Sequence, residues 1–425
     1  MCVNNCFEKT LYYCSPGHGG WGIIRVAALI PESHLMFICP SACFRHGALG
    51  AVQHGYKNRT SYLYITPADI VTGYDDLIME GAEELLEKDK SIKVLFLFVP
   101  CLDDFIGTDM ESIAKEVQEK HPGIIVRACH MNPIAVETKK PPLVTTMQAM
   151  FSTIETENSA SEDAVNLCGN FARIEEGCEL FDFLKDYGLE VRQLADYQDR
   201  TYQEFCEMGR SKYNLILRPA GKFSAEYMDT HFGTSSVRYM ITYDMEEIRQ
   251  NYEEWGALLA QNHEKAETPS FDIDAIEKET KEVIERVRKK LNGLPISVSD
   301  SAVLRPFTLA RALLRYGFVV NEVIEQEVLA VDREAYDYIC ENHPEVKITQ
   351  PRHHKNAVRN NIETNMVAIG FEGAYLRQSD YVVDLSGDEG MYGYYGVRRL
   401  MEMLEKAVDE KADLRKMIEE YGAVV

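Results

Sequence analysis

The sequence predicts an α/β protein of three successive domains, each a mainly parallel sheet flanked by helices. Three observations predict it. Short runs that are apolar on both faces recur along the 425 residues, as central parallel strands require when both faces of their sheet are covered. Amphipathic helical stretches alternate with these runs, the strand–helix–strand order that produces parallel pairing. Glycine closes several of the helical stretches, where a left-handed residue ends the last turn.

In the first domain, Tyr74 to Lys88 reads as a helix with Leu77, Ile78, Ala82 and Leu85 on one face. Lys93 to Pro100 follows as the strongest strand of the chain. A helix over Met110 to Lys120 and a strand over Gly123 to Ala128 complete the unit. The second domain starts with a strand over Ala164 to Gly169. A helix from Glu176 to Tyr187, a strand opening at Leu189, a strand over Tyr213 to Leu217 and a helix from Phe223 to Phe232 come after it. A charged helix, Asp272 to Leu291, introduces the third. Its strands are read at Pro295–Val298, Phe318–Val320, Val346–Thr349, Met366–Gly370 and Tyr381–Leu385, with helices at Leu309–Tyr316 and Gly393–Ala407. The expected domains are therefore residues 1–160, 161–270 and 271–425, each Rossmann-like. In such sheets ligands sit beyond the carboxyl ends of the strands, so residues just after strands are the first candidates for chemistry.

Composition narrows the function. With 45 basic and 68 acidic residues the net charge is −23, which repels nucleic-acid phosphates and favours partners with basic faces. No run of 18 or more apolar residues exists to cross a membrane. The first residues lack the basic and apolar regions of a secretion signal, and the expected location is cytoplasmic. The 11 cysteines are odd in number and match no disulfide framework. Thiols of this kind serve as buried filler, catalysts or metal ligands.

Three cysteine positions stand out. Cys14 precedes a segment with four glycines, Gly17 to Gly22, whose Gly19 and Gly20 let backbone N–H groups approach an anionic ligand closely. Cys39 and Cys43 bracket a turn expected to start at Pro40, with Arg45 and His46 beside them. Cys101 ends the strongest strand, in Cys101-Leu102-Asp103-Asp104-Phe105-Ile106-Gly107-Thr108-Asp109. Thiolates at loop and strand-end positions suit iron–sulfur ligation. Cys14, Cys39, Cys43 and Cys101 equally make a four-thiolate set for tetrahedral zinc. Cys129, Cys168, Cys178, Cys206 and Cys340 read as packing residues.

The order of these motifs resembles the component 1 family of nitrogenase and its relatives, among them the dark-operative protochlorophyllide reductase subunits. The resembling residues are Cys14-Ser15-Pro16 with its glycine-rich tail, Cys43 with its following aromatic and Arg45, and Cys101 followed by Ile106-Gly107-Thr108-Asp109. The resemblance implies that Cys14, Cys43 and Cys101 hold an iron–sulfur cluster, either with four irons or larger and P-cluster-like, at the interface with a homologous or identical subunit. It implies a second partner, an ATP-dependent iron–sulfur reductase, and an oxidoreductase activity that relays electrons to an unidentified substrate. A cofactor-assembly scaffold, holding a cluster precursor without turnover, is the alternative.

The sequence departs from the family in two places. Cys39 stands where relatives have a small residue, and is an alternative or additional ligand. The middle-domain strand, Asn214 to Ala220, lacks the cysteine that holds the active-site cofactor of the nitrogenase catalytic subunit. Two other features are candidates or exclusions. His353 and His354, after the strand at Val346–Thr349, mark a possible substrate pocket for a carboxylate, a tetrapyrrole propionate or a metal. No Gly-x₄-Gly-Lys-Ser/Thr and no Gly-x-Gly-x-x-Gly after a strand is present, so nucleotide binding through those loops is not expected.

Overall fold

The computed structural model describes residues 11–12, 26–132, 141–155, 160–357 and 364–422. It contains three sheets, parallel throughout and flanked by helices. The first has strands β1 (Ser33–Cys39), β2 (Thr60–Tyr64), β3 (Val94–Val99) and β4 (Ile125–His130) in the order β2-β1-β3-β4. Every residue of β1 and β3 is buried, as central strands covered on both faces must be. One cover is the helix Asp75–Lys88, which buries Ile78, Ala82 and Leu86. Another is the helix Met110–Lys120, begun by Asp109, whose carboxylate accepts from the Ser112 amide. Large aliphatic side chains such as Ile78 and Leu86 each contribute about 1.5–3 kcal/mol when fully buried.

The second sheet has β5 (Glu162–Cys168), β6 (Glu190–Gln193), β7 (Ser211–Ile216) and β8 (Ser235–Arg238), ordered β6-β5-β7-β8. The third has β9 (Ile296–Ser299), β10 (Val320–Ile324), β11 (Lys347–Thr349), β12 (Val367–Ile369) and β13 (Tyr381–Val383), ordered β11-β10-β9-β12-β13. In each sheet the chain winds outward from a starting strand and then reverses. The reversal falls between β1 and β3, between β5 and β7, and between β9 and β12, where connecting loops diverge and leave a crevice.

Two of these crevices are tightly filled. After β5 and β7, main chain rests on main chain: a Cβ built on Gly221 would lie 2.6 Å from the Cys168 carbonyl carbon and 2.7 Å from the Gly169 amide nitrogen. After β12, Gly370 has φ of 101°, and a Cβ there would meet Ser299, Ser301 and Ala302 at 3.0–3.1 Å.

The second and third sheets are joined through Glu179, which is almost fully buried. Its carboxylate accepts from the Tyr394 amide at 2.5 Å and the Tyr395 amide at 2.9 Å, at the start of the helix Gly393–Asp409. It thereby satisfies two N–H groups that the helix cannot pair internally.

The sequence reading and the structure differ locally. β1, β2 and β8 were not expected. Pro40 starts no turn; it caps the helix Ser41–Gln53, so Cys43 stands in a first helical turn. β10 runs over 320–324, beyond the expected strand at 318–320. Among the described residues no helix is long and apolar enough to cross a membrane.

Candidate metal centre at the end of the first sheet

The first reversal point is lined by sulfur. Phe37 of β1 pairs with Phe98 of β3, so Cys39 stands level with Pro100 and Cys101 is the next residue. Cys43 follows one turn into the helix that leaves β1, its amide bonded to the Pro40 carbonyl at 3.0 Å. Three cysteines therefore gather where β1 and β3 diverge, from segments about sixty residues apart in the chain.

Their surroundings differ. Cys39 is 1% exposed and packs in the apolar cluster with Phe37, Phe96 and Phe98. Burial first, and the nearby Cys43 sulfur second, push its thiol up to about 12. Cys43 and Cys101 are only half-buried. The Cys43 thiol is raised above its ordinary value by burial and by the sulfur of Cys101. A thiol whose ionisation is disfavoured by a neighbouring sulfur is suited to share a cation with it, which reverses the sign of that interaction. Apolar side chains are exposed on the neighbouring elements: Phe105 is 70% and Ile106 42% exposed in the helix that follows Cys101, and Phe44, next to Cys43, stacks on Tyr62 with centroids 4.2 Å apart.

The family model described as nitrogenase component 1 type oxidoreductase matches residues 20–409. The chain belongs to the nitrogenase component 1 type oxidoreductase family. Within it, this component 1 type chain is 21% identical over 275 residues to the nitrogenase iron-molybdenum cofactor biosynthesis protein NifE of Clostridium pasteurianum. That match covers 64% of the chain and 58% of the NifE length. Among solved structures, nitrogenase Cp1 at pH 6.5 superposes with a TM-score of 0.71 at 13% identity, covering 98% of this chain and 96% of that one. Nitrogenase Cp1 at pH 5 superposes with a TM-score of 0.57 at 14% identity, covering 95% and 90%. These two likenesses establish a shared fold.

The remaining sequence candidates of this component 1 type chain fall as follows. Cys14, Gly19 and Gly20 lie outside the described residues. Tyr12 forms an isolated antiparallel bridge to His353, and the His354 amide donates to the Leu11 carbonyl at 3.2 Å. His353 is buried and its Nδ1 accepts from the Lys355 amide at 3.1 Å, while the two imidazoles stack 4.5 Å apart. They follow β11, an edge strand of the third sheet, and so belong to a different sheet from Cys43 and Cys101. A cavity of about 580 Å³ lined by Arg173, Asp196 and Arg200 opens beside β6; none of the predicted residues lines it.

Sequence reasoning passed over one group beside the thiols. Asp103 is buried two residues after Cys101, and His130 ends β4. The Asp103 carboxylate, joined by Glu111 and opposed by burial, raises the His130 imidazole to about 9. The rule that singled out Cys101, a polar residue at a strand end, applies equally to His130.

Proposed function

We propose that this chain is a component 1 type subunit that holds an iron–sulfur cluster through Cys43 and Cys101, with Cys14 as a third thiolate. The cluster sits at an interface with a homologous or identical subunit, and electrons arrive from a separate ATP-dependent iron–sulfur reductase. The observation that carries this reading is the meeting of two half-buried cysteines at the reversal point of the first sheet, with exposed Phe105 and Ile106 in the helix after Cys101 and exposed Tyr62 stacked on Phe44 beside Cys43. Exposed apolar side chains of this kind fit a protein contact that would close over the thiols. When bound, the cluster supplies a one-electron store at low potential. The chain's own residues fix the two sulfurs by anchoring one to a helix turn and the other to a strand end, and exclude water with the aromatic side chains around them. Cys39, held protonated in the core, serves packing.

A second reading follows from the likeness to NifE, a protein named for cofactor biosynthesis: the chain is a scaffold that holds a metal-cluster precursor without turnover. Electron consumption separates the two. An electron-relaying subunit, supplied with reductase and ATP, keeps oxidising reductant after its cluster is filled; a scaffold stops after a single charge.

The cluster itself is tested by an anaerobic iron and sulfide count per chain, paired with native mass. Cys43→Ala and Cys101→Ala should each lower bound iron and weaken subunit association. Cys168→Ala, in the fully buried core of the second sheet, should leave the count unaltered. Undiminished iron in both of the first two variants would overturn the assignment.

A further inference from the structure

A second group of donor atoms stands beside Cys101 and contains no thiol. Asp103 and Asp104 lie in the first turn of the helix Leu102–Ile106, and His130 is the last residue of β4. One donor atom from each lies within 4.8 Å of the other two. Asp103 Oδ2 is 2.6 Å from His130 Nδ1. On its other side, His130 Nε2 is 2.8 Å from Glu111 Oε1. Asn132 donates to Asp104 Oδ2 at 2.5 Å.

One observation points to a cation at this cluster. The Asp103 side chain is 2% exposed, yet its Oδ1 has no hydrogen-bond partner among the described residues. A buried carboxylate oxygen left without a donor is uncommon, because it has given up water and gained nothing in return. No Lys or Arg among the described residues forms an ion pair with Asp103, Asp104 or Glu111; the cationic partner of Asp103 and Glu111 is the His130 imidazole itself.

We propose that Asp103, Asp104 and His130 form a mononuclear site for a divalent first-row cation, which binds at His130 Nδ1 and releases to solvent the proton shared there with Asp103, with Glu111 holding the imidazole from its far nitrogen. Two carboxylate oxygens and one imidazole make a mixed oxygen–nitrogen set. That set favours manganous, ferrous, cobaltous or zinc ions over the thiophilic cuprous ion, and leaves positions open for water. The Glu111–His130 contact is the outer carboxylate that metal-bound histidines commonly carry. The bound ion ties the helix after Cys101 to the end of β4.

The test is a manganese titration of the whole protein, followed by the loss of the free-ion signal in electron paramagnetic resonance. Wild type should bind one Mn²⁺ per chain. Asp104→Asn and His130→Gln alter exposed or half-exposed side chains and should each weaken binding at least about tenfold. The Cys43→Ala, Cys101→Ala double variant should bind Mn²⁺ as wild type does, which keeps this site distinguishable from the thiol centre. Absence of stoichiometric binding in wild type, equal affinity in the Asp104 and His130 variants, or loss of binding in the cysteine double variant would each overturn the proposal.

Discussion

His34 shows how far one side chain departs from its solution behaviour. It is buried in β1, with its Nε2 3.1 Å from the Ser61 hydroxyl. Burial, the main cause, aided by Arg59 and opposed by Asp89, lowers its pKa from 6.5 to about 4. Between those values the unfolded chain takes up a proton that the folded chain refuses, so stability falls as pH drops through that window. The difference corresponds to about 3 kcal/mol. Chemical denaturation of wild type and His34→Gln at a series of pH values from 4 to 7 should show a shallower pH dependence in the variant; parallel profiles would refute the effect. The sequence carries no sign of this penalty, which depends on tertiary burial. At the thiol centre, Cys43 and Cys101 were legible because each stands at an element boundary. That Cys39 faces hydrocarbon was not, since the side of a strand on which a residue falls is fixed by register and by what covers the sheet.

At the scale of elements, the helix Gly393–Asp409 depends on a short stretch at its start. Gly393 has φ of 55°, and a Cβ on it would collide with the Glu179 carboxylate and approach the Tyr252 hydroxyl at 2.9 Å. Gly393→Ala should therefore destabilise by about 2 kcal/mol or more. Glu179→Ala, which strands the amides of Tyr394 and Tyr395, should cost about 2–5 kcal/mol. Thermal unfolding measures both; an unchanged midpoint in either variant would mean that Glu179 does not hold the helix. The amphipathic helices Asp75–Lys88, Ile273–Leu291 and Gly393–Asp409 and the all-apolar β3 were read from sequence because their periods are unambiguous, whereas the helix Met245–Leu259 was not read. The edge strands β2 and β8 were missed because Thr60–Tyr64 and Ser235–Arg238 are half-exposed and mix polar with apolar residues without a continuous run. Pro40 fits a turn and a helix start equally well, and only the strand behind it decides between them.

At the scale of the whole molecule, a net charge of −23 sets the terms of association. A reductase docking through a basic face would be steered toward this chain, and its on-rate should fall steeply as ionic strength rises past the point where the Debye length is about 10 Å. Stopped-flow reduction at increasing salt measures this; a rate indifferent to salt would mean that docking is not charge-guided. Of the three crevices formed where the sheets reverse, the first is lined by side chains and the second by bare backbone. Gly169 and Gly221 press their peptide planes together there with no room for a methyl group. A saturating library at Gly221 should return glycine alone among the folded clones, whereas positions around Cys43 should accept wide variation in clones selected only for folding. The mouth of the second sheet is thus shut by main chain, and room for side-chain chemistry is left at the mouth of the first.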